Sequence, residues 1–169
     1  MDLARKIQIP KWERRSGLGK NEIPADVTAD LRTGDNNLSL WKYLPDETGL
    51  DDVFLALAAG QQELDKMDVA WVSDQDLEKD GIRLQGSPGT TPVIDLRDRH
   101  VDAIQLDVTR LGKIAHQVAA AIDNQHFHRK TRAEIVELLG QAVRAGRVDP
   151  VVLGKNVRAK VEEYLSRDG

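Results

Sequence analysis

Residues 89–100 concentrate the side chains of this chain that could do chemistry. They begin as a loop containing Gly and Thr, whose backbone N–H groups and hydroxyls suit an anion. Charged residues follow within reach, and a carboxylate beside a histidine could orient the imidazole for acid–base work. The candidate ligand-binding residues are Thr90, Thr91, Asp95, Arg97, Arg99 and His100. We expect a phosphate or carboxylate site here if these side chains converge on one pocket.

The same segment also has a purely structural interpretation. Asp95 and Arg99 are four residues apart, so they would form an ion pair on the surface of a helix. A turn followed by an ion-paired surface segment explains the charges without a ligand, and structural ion-pair networks are common. The structural interpretation is the favoured one. The ligand-binding and the structural interpretations differ in whether Arg99 and His100 face one cavity.

Three other patterns fail a test of their spacing. A phosphate loop requires GxxxxGK followed by Ser or Thr, but Arg14 stands at the first Gly position and Asn21 at the hydroxyl position. His126 and His128 lack a third ligand at the spacing of a metal site. The acidic residues 74–80 lack the Gly and Glu positions of a calcium loop. We therefore expect no metal and no cofactor.

The charge of the chain is unevenly distributed. The net charge is −4, but residues 1–20 carry six Lys/Arg and two Asp/Glu, a net of +4. Residues 21–123 carry a net of −11, and residues 124–169 carry a net of +3. An acidic body repels nucleic acid and anionic membranes. The basic ends therefore favour docking on the body itself or contact with a protein.

Composition limits the class and the compartment. The 169 residues include no Cys, which excludes disulfides and thiol catalysis and favours an intracellular protein. The first residues have no apolar core of signal-peptide length, and no apolar stretch is long enough to span a bilayer. We expect a cytoplasmic protein without a membrane partner.

Periodicity predicts the elements that would position these residues. Strand formers predict strands at residues 38–44, 69–72 and 82–85. Helical spacing and capping residues predict helices at residues 25–31, 51–62, 74–79, 107–122, 131–145 and 149–167. Residues 93–106 fit neither pattern, and residues 124–130 are expected to be a linker.

These elements favour an α+β fold. We expect a small mixed sheet of three or four strands packed by helices, with a C-terminal helical hairpin at residues 131–167. A small doubly wound α/β sheet is the alternative, because strand and helix alternate between residues 38 and 92. Residues 23–123 would form the acidic body. Residues 1–22 would be an irregular basic arm, with at most a short edge strand at residues 1–9.

The arm and the hairpin are the candidate contact surfaces. Trp12, Arg14 and Arg15 have the composition of an interaction hot spot, although Trp12 could equally fold back onto the sheet. The hairpin is too small to bury both faces alone, so it must pack on the body or on a partner. Its last helix has few polar residues suited to reading bases, which disfavours a nucleic-acid-binding regulator.

We therefore expect an interaction or accessory protein rather than an enzyme. Its partner would be another protein or a second copy of the chain. One alternative is an enzyme or anion-binding domain that uses residues 89–100. The other is a nucleic-acid regulator that uses the hairpin.

Overall fold

The computed structural model describes residues 1–13, 18–19, 22–45 and 49–167. Within these ranges six strands form one sheet, and helices cover both of its faces. The strands are β1 (Asp2–Ile7), β2 (Leu38–Tyr43), β3 (Met67–Ser73), β4 (Arg83–Gly86), β5 (His100–Ile104) and β6 (Phe127–Lys130). The helices of the same ranges are α1 (Ile9–Trp12), α2 (Gly49–Ala59), α3 (Asp74–Lys79), α4 (Val108–Asp123), α5 (Arg132–Arg144) and α6 (Lys155–Arg167).

The strand order is β4-β5-β2-β1-β3-β6, and every pairing is antiparallel. The prediction of a mixed α and β chain is confirmed, and the three predicted strands are β2, β3 and β4. The prediction of a mixed sheet with three or four strands was wrong, because the sheet has six. The doubly wound alternative is also wrong, since that fold requires parallel strands.

The first strand corrects the expected irregular arm. β1 lies in the centre of the sheet between β2 and β3, not at an edge. Leu3, Ala4 and Ile7 are buried, but Arg5 and Lys6 interrupt the apolar pattern in the sequence. The Arg5 guanidinium donates to the carbonyl oxygens of Asp30 and Ser39, so the interior accommodates its charge. The sequence pattern alone does not reveal these acceptors.

The last strand corrects the expected linker at residues 124–130. β6 pairs with β3, and its two charged side chains form ion pairs with other elements. Nε of Arg129 lies 2.6 Å from Oδ1 of Asp68, and Nζ of Lys130 lies 2.9 Å from Oδ1 of Asp51. A strand of four polar or aromatic residues lacks an apolar alternation, which is why its pattern resembles a linker.

Two buried clusters lie on opposite faces of the sheet. Leu3 belongs to one cluster and Ala4 to the other, because neighbouring side chains of a strand point to opposite faces. Helices α2, α5 and α6 pack in the cluster of Ala4. Helices α1, α3 and α4 pack in the cluster of Leu3. The described residues therefore form three layers, with the sheet in the middle.

The helical hairpin of α5 and α6 lies against α2. Asp149 caps a 3-10 turn at Pro150–Val152, and α6 begins only at Lys155, later than expected. A Cβ at Gly154 would lie 2.9 Å from the carbonyl oxygen of Gln61, just beyond the end of α2. The chain therefore enters α6 in close contact with the body.

Candidate functional site

Two backbone donors of the loop at residues 86–93 are already used within the protein. The N–H of Gly89 donates to the carbonyl oxygen of Arg97 at 2.9 Å, and the N–H of Ser87 donates to that of His100 at 3.3 Å. A Cβ at Gly89 would lie 2.8 Å from the ring of Trp41, so the loop is pressed against the sheet. Packing thus explains the glycine.

The two threonines of this loop differ in exposure. Thr90 is exposed, whereas Thr91 is buried and its Oγ1 accepts from the N–H of Val93 at 3.3 Å. The carbonyl oxygen of Thr91 accepts from Nε of Arg97 at 2.9 Å. Arg97 is therefore held by the loop that precedes it.

Asp95 and Arg99 do not pair with each other as the helical spacing suggested. Asp95 accepts from Nε and Nη2 of Arg147, at 3.1 and 2.7 Å. Nη1 of Arg99 lies 3.0 Å from Oδ2 of Asp52, in ion-pair contact but without hydrogen-bond geometry. Residues 94–99 form a 3-10 turn, in which positions four apart do not lie on one face as they do in an α-helix.

His100 faces a different environment from Arg99. Its Nδ1 lies 2.9 Å from Oγ and 3.1 Å from the carbonyl oxygen of Ser87, and its ring meets that of Trp41 edge-on at 5.2 Å. Oγ of Ser87 donates to Asp102 at 2.6 Å, so both Ser87 oxygens act as acceptors for the imidazole. The structure therefore does not bring Arg97, Arg99 and His100 together on one pocket.

Trp12 is not an exposed contact residue. Its side chain is buried at 6% exposure in the cluster of Leu3, and its Nε1 donates to Oδ2 of Asp30 at 2.9 Å. Of the two alternatives for this residue, the structure has the one in which it folds back onto the sheet. Arg14 and Arg15, the other candidates for partner binding, lie outside the described residues.

A groove between α5 and α6 is the largest of four cavities compared among the described residues, at about 420 Å³. α5 contributes Arg132, Ala133 and Val136 to its lining. α6 contributes Lys160, Glu163, Tyr164 and Arg167. The spacing of three and four residues places this second set on one face of α6, where the groove runs.

The ring of Tyr164, which forms one wall of the groove, packs against α5. A Cβ at Gly140 would overlap Cδ1 and Cε1 of Tyr164, so only glycine leaves room for that ring. The guanidinium carbon of Arg144 lies 5.6 Å from the centre of the same ring, within reach of a cation–π contact. The contacts of Tyr164 with α5 set the distance between the two helices.

The start of α5 is fixed by a reciprocal cap. The hydroxyl of Thr131 accepts from the N–H of Glu134 at 3.3 Å, and the Glu134 carboxylate accepts from the N–H of Thr131 at 2.7 Å. The side-chain hydrogen bond from Thr131, followed by the backbone one, lowers the pKa of Glu134. The cap therefore fixes the backbone immediately before Arg132, at one end of the groove.

Positive charge predominates in the groove. Three of its lining residues are cations and one, Glu163, is a carboxylate. Glu163 is in contact with Arg167 one turn later. Among the residues that the structure describes, Arg132 and Lys160 form no ion pair and no side-chain hydrogen bond. As far as the described residues go, the groove therefore combines two cations that lack an ion pair with the apolar surfaces of Val136 and Tyr164.

The sequence contained part of the signal for this groove. Lys160 and Arg167 are visible in the sequence as cations of the last predicted helix. Tyr164 also lies within that predicted helix, and in the structure it is half-buried and lines the groove. The spacing of Lys160, Tyr164 and Arg167 could have indicated a shared face.

No group of three or more His, Asp or Glu in the described part of the chain is arranged to hold a metal ion. No helix in the described ranges is both long and apolar enough to cross a membrane.

Comparison with known proteins finds no family model, no curated protein and no solved structure that matches the chain.

Proposed function

We propose that this protein is an interaction module that binds an acidic segment of a partner protein in the α5–α6 groove. The observation that carries the proposal is that Arg132 and Lys160, which form no ion pair within the described part of the chain, lie beside the apolar surfaces of Val136 and Tyr164. A partner segment with an apolar side chain between carboxylates would match both features.

The residue types of the groove suit a protein partner. Tyr and Arg are enriched in interface hot spots, where they bury a large area and provide directed hydrogen bonds. The packing of Tyr164 against Gly140 orders one wall of the groove in the absence of a partner. A wall ordered in advance reduces the entropy that binding would otherwise cost.

Nucleic acid fits the same surface less well. Residues 21–123 carry a net charge of −11, which repels a phosphate backbone. The groove itself contains Glu163, and its unpaired cations number two rather than the several that a phosphate-tracking surface uses. A protein segment that presents only a few carboxylates is the better match.

The direct test measures binding of labelled peptides by fluorescence anisotropy. One peptide has Glu residues flanking a Leu-Phe pair, a second has Lys in place of Glu, and a third has Gly in place of Leu-Phe. We expect the first peptide to bind, and the second and third to bind at least about tenfold more weakly. Equal binding of the acidic and basic peptides would contradict the proposal, as would preferred binding of duplex DNA.

A charge-reversal pair localises the binding. The double variant Arg132→Glu, Lys160→Glu should weaken binding of the acidic peptide at least about tenfold. The matched control, Lys113→Glu with Lys155→Glu, makes the same change of net charge outside the groove and should retain the affinity within about twofold. An equal loss in both variants would mean that the total charge attracts the peptide and that the groove does not.

A second readout uses the protein in its own cell. A photoreactive amino acid at Ala133, which lines the groove, should give a crosslinked product, and one at Val108 on α4 should not give the same product. The product should disappear when Arg132 and Lys160 are reversed. A product that survives the reversal would contradict the proposal.

A further inference from the structure

A second cavity lies where β1 and β2 separate. The pairing of these two strands covers residues 2–4 of β1, whereas the pairing of β1 with β3 continues to Ile7. Within the described ranges, residues 5–8 therefore have no strand on the β2 side. A cavity of about 270 Å³ occupies this region, and Arg5, Lys6, Asp30 and Leu57 are among the residues that line it.

Among the described residues, the two cations of this cavity donate hydrogen bonds only to neutral oxygens. Nε and Nη2 of Arg5 donate to the carbonyl oxygen of Asp30 at 3.1 and 2.8 Å, and Nη1 donates to that of Ser39 at 2.7 Å. Nζ of Lys6 donates to Oε1 of Gln61 at 3.3 Å. Neither cation forms an ion pair with any carboxylate of the described ranges, and both are half-buried.

The carboxylate of Asp30 is committed to other donors. It accepts from the backbone N–H of Gln8 at 2.7 Å, from Nε1 of Trp12 at 2.9 Å and from Nζ of Lys11 at 3.0 Å. Lys11 thus provides the counter-charge of Asp30. The positive charges of Arg5 and Lys6 are therefore left without a paired carboxylate in the part of the chain that the structure describes.

Burial disfavours the charged forms of Arg5 and Lys6. Desolvation lowers the pKa of Arg5, and the attraction of Asp30 opposes that effect only in part. Desolvation likewise lowers the pKa of Lys6, with Asp30 and Asp65 opposing it and Arg5 adding to it. Two partly desolvated cations of this kind are stabilised when an anion binds between or beside them.

We propose that this cavity binds a small oxyanion, either phosphate or a carboxylate. A guanidinium has five N–H groups and an ammonium has three. Arg5 uses three of its donors and Lys6 uses one, so each retains two without an acceptor among the described residues. The cavity is smaller than the roughly 300–1,000 Å³ of sites for drug-sized ligands, which favours a small anion over a nucleotide.

This site is independent of the α5–α6 groove. It lies at the centre of the sheet and shares no lining residue with the groove. Binding here would stabilise the start of the chain against the sheet, because Arg5 and Lys6 belong to the central strand. Failure of the peptide-binding proposal would leave the anion site untouched, and the reverse also holds.

The test measures thermal unfolding of the full chain in rising phosphate or succinate, with sodium chloride adjusted to constant ionic strength. A ligand that binds the folded state raises the unfolding temperature along a saturating curve. We expect saturation with at least one of the two anions, and the one that saturates identifies the class. An unfolding temperature that rises linearly with the concentration of both anions, or that does not rise with either anion, would overturn the proposal.

Two lysine variants assign the binding. Lys6→Gln should weaken the apparent affinity at least about tenfold, because it removes a charge-assisted hydrogen bond. Lys79→Gln is the matched control, since Lys79 is exposed and pairs only with Asp76 among the described residues. Equal affinities of the two variants would overturn the assignment to this cavity.

A measurement on the wild-type chain avoids any effect of Lys6→Gln on folding. Amine acetylation followed by mass spectrometry reports how accessible each lysine is. The anion that saturates the thermal curve should protect Lys6 at least about threefold while leaving Lys79 unchanged, since a bound anion holds the ammonium protonated. Equal acetylation of Lys6 with and without the anion would overturn the proposal.

Discussion

Arg147 and Asp95, 52 residues apart in sequence, join the end of the helical hairpin's first helix to the 89–100 segment. The guanidinium donates to Asp95 through Nε and Nη2, and the same Nη2 donates to Asp52 in the first turn of α2 at 3.0 Å. Burial alone would lower the pKa of Arg147, but its hydrogen bonds to Asp95 and Asp52 raise it. Asp95 of the 89–100 segment thus links the residues that follow α5 to the body.

Removing Arg147 should destabilise the protein. Arg147→Ala leaves the buried Asp52 with Arg99 as its remaining cation, so we expect a loss of about 1–3 kcal/mol in the free energy of unfolding. Denaturant unfolding followed by circular dichroism gives this value. Arg158→Ala is the control, because Arg158 lies 4.0 Å from Glu162 on an exposed helix face and should cost less than about 0.5 kcal/mol. Equal losses would contradict the role given to Arg147.

Local patterns were sufficient for some elements and insufficient for others. β2 follows from the alternation at residues 38–44, and α3 has the bounds predicted from the sequence, although the Ser73 side chain before it makes no capping hydrogen bond. β1 and β6 do not, because their charged residues are accommodated by acceptors far away in sequence. Arg5 reaches the carbonyl oxygen of Asp30, and Arg129 reaches the carboxylate of Asp68.

The same limit applies to the candidate sites. Spacing suggested that Asp95 would pair with Arg99, but the partner of Asp95 is Arg147. The sequence shows that the groove residues include cations, but it does not show that Tyr164 packs on Gly140. Contacts between distant residues decide both outcomes, and helical spacing carries no information about them.

The burial of Trp12 predicts a stabilising role for its indole. Trp12→Phe removes the donor to Asp30 and should lower the free energy of unfolding by about 1 kcal/mol or more, since the acceptor is a buried carboxylate. Denaturant unfolding measures this loss. The variant should bind the acidic peptide as tightly as the wild type. Unchanged stability with weakened peptide binding would instead support a contact role for Trp12.

The cap of α5 predicts how its stability depends on pH. The folded state lowers the pKa of Glu134 below its ordinary value, because the charged carboxylate accepts hydrogen bonds from Thr131. The cap's contribution is therefore fully present above about pH 4.3, the ordinary value, and is lost as the pH falls through the lowered one.

NMR titration of the Glu134 carboxyl carbon measures this pKa. Thr131→Ala should move it towards the ordinary value, and Thr131→Ser, which keeps the hydroxyl, should leave it lowered. Hydrogen exchange in the first turn of α5 should accelerate in the alanine variant at neutral pH. An unshifted pKa in that variant would contradict the assignment of the cap.

Because the Tyr164 ring packs against Gly140, replacement of glycine by alanine should have opposite effects on stability at two helix positions. Gly140→Ala places a methyl group against the Tyr164 ring and should cost about 1–3 kcal/mol of unfolding free energy through overpacking. Gly112→Ala on α4 has no neighbouring atom within 4 Å and should instead stabilise by about 0.5–1 kcal/mol, because alanine is the better helix former. Adding Tyr164→Ala to Gly140→Ala should recover part of the loss, since it removes the overlapping ring. Equal signs for the two glycine variants, measured by denaturant unfolding, would show that the contact between Tyr164 and Gly140 does not set the packing of α5 on α6.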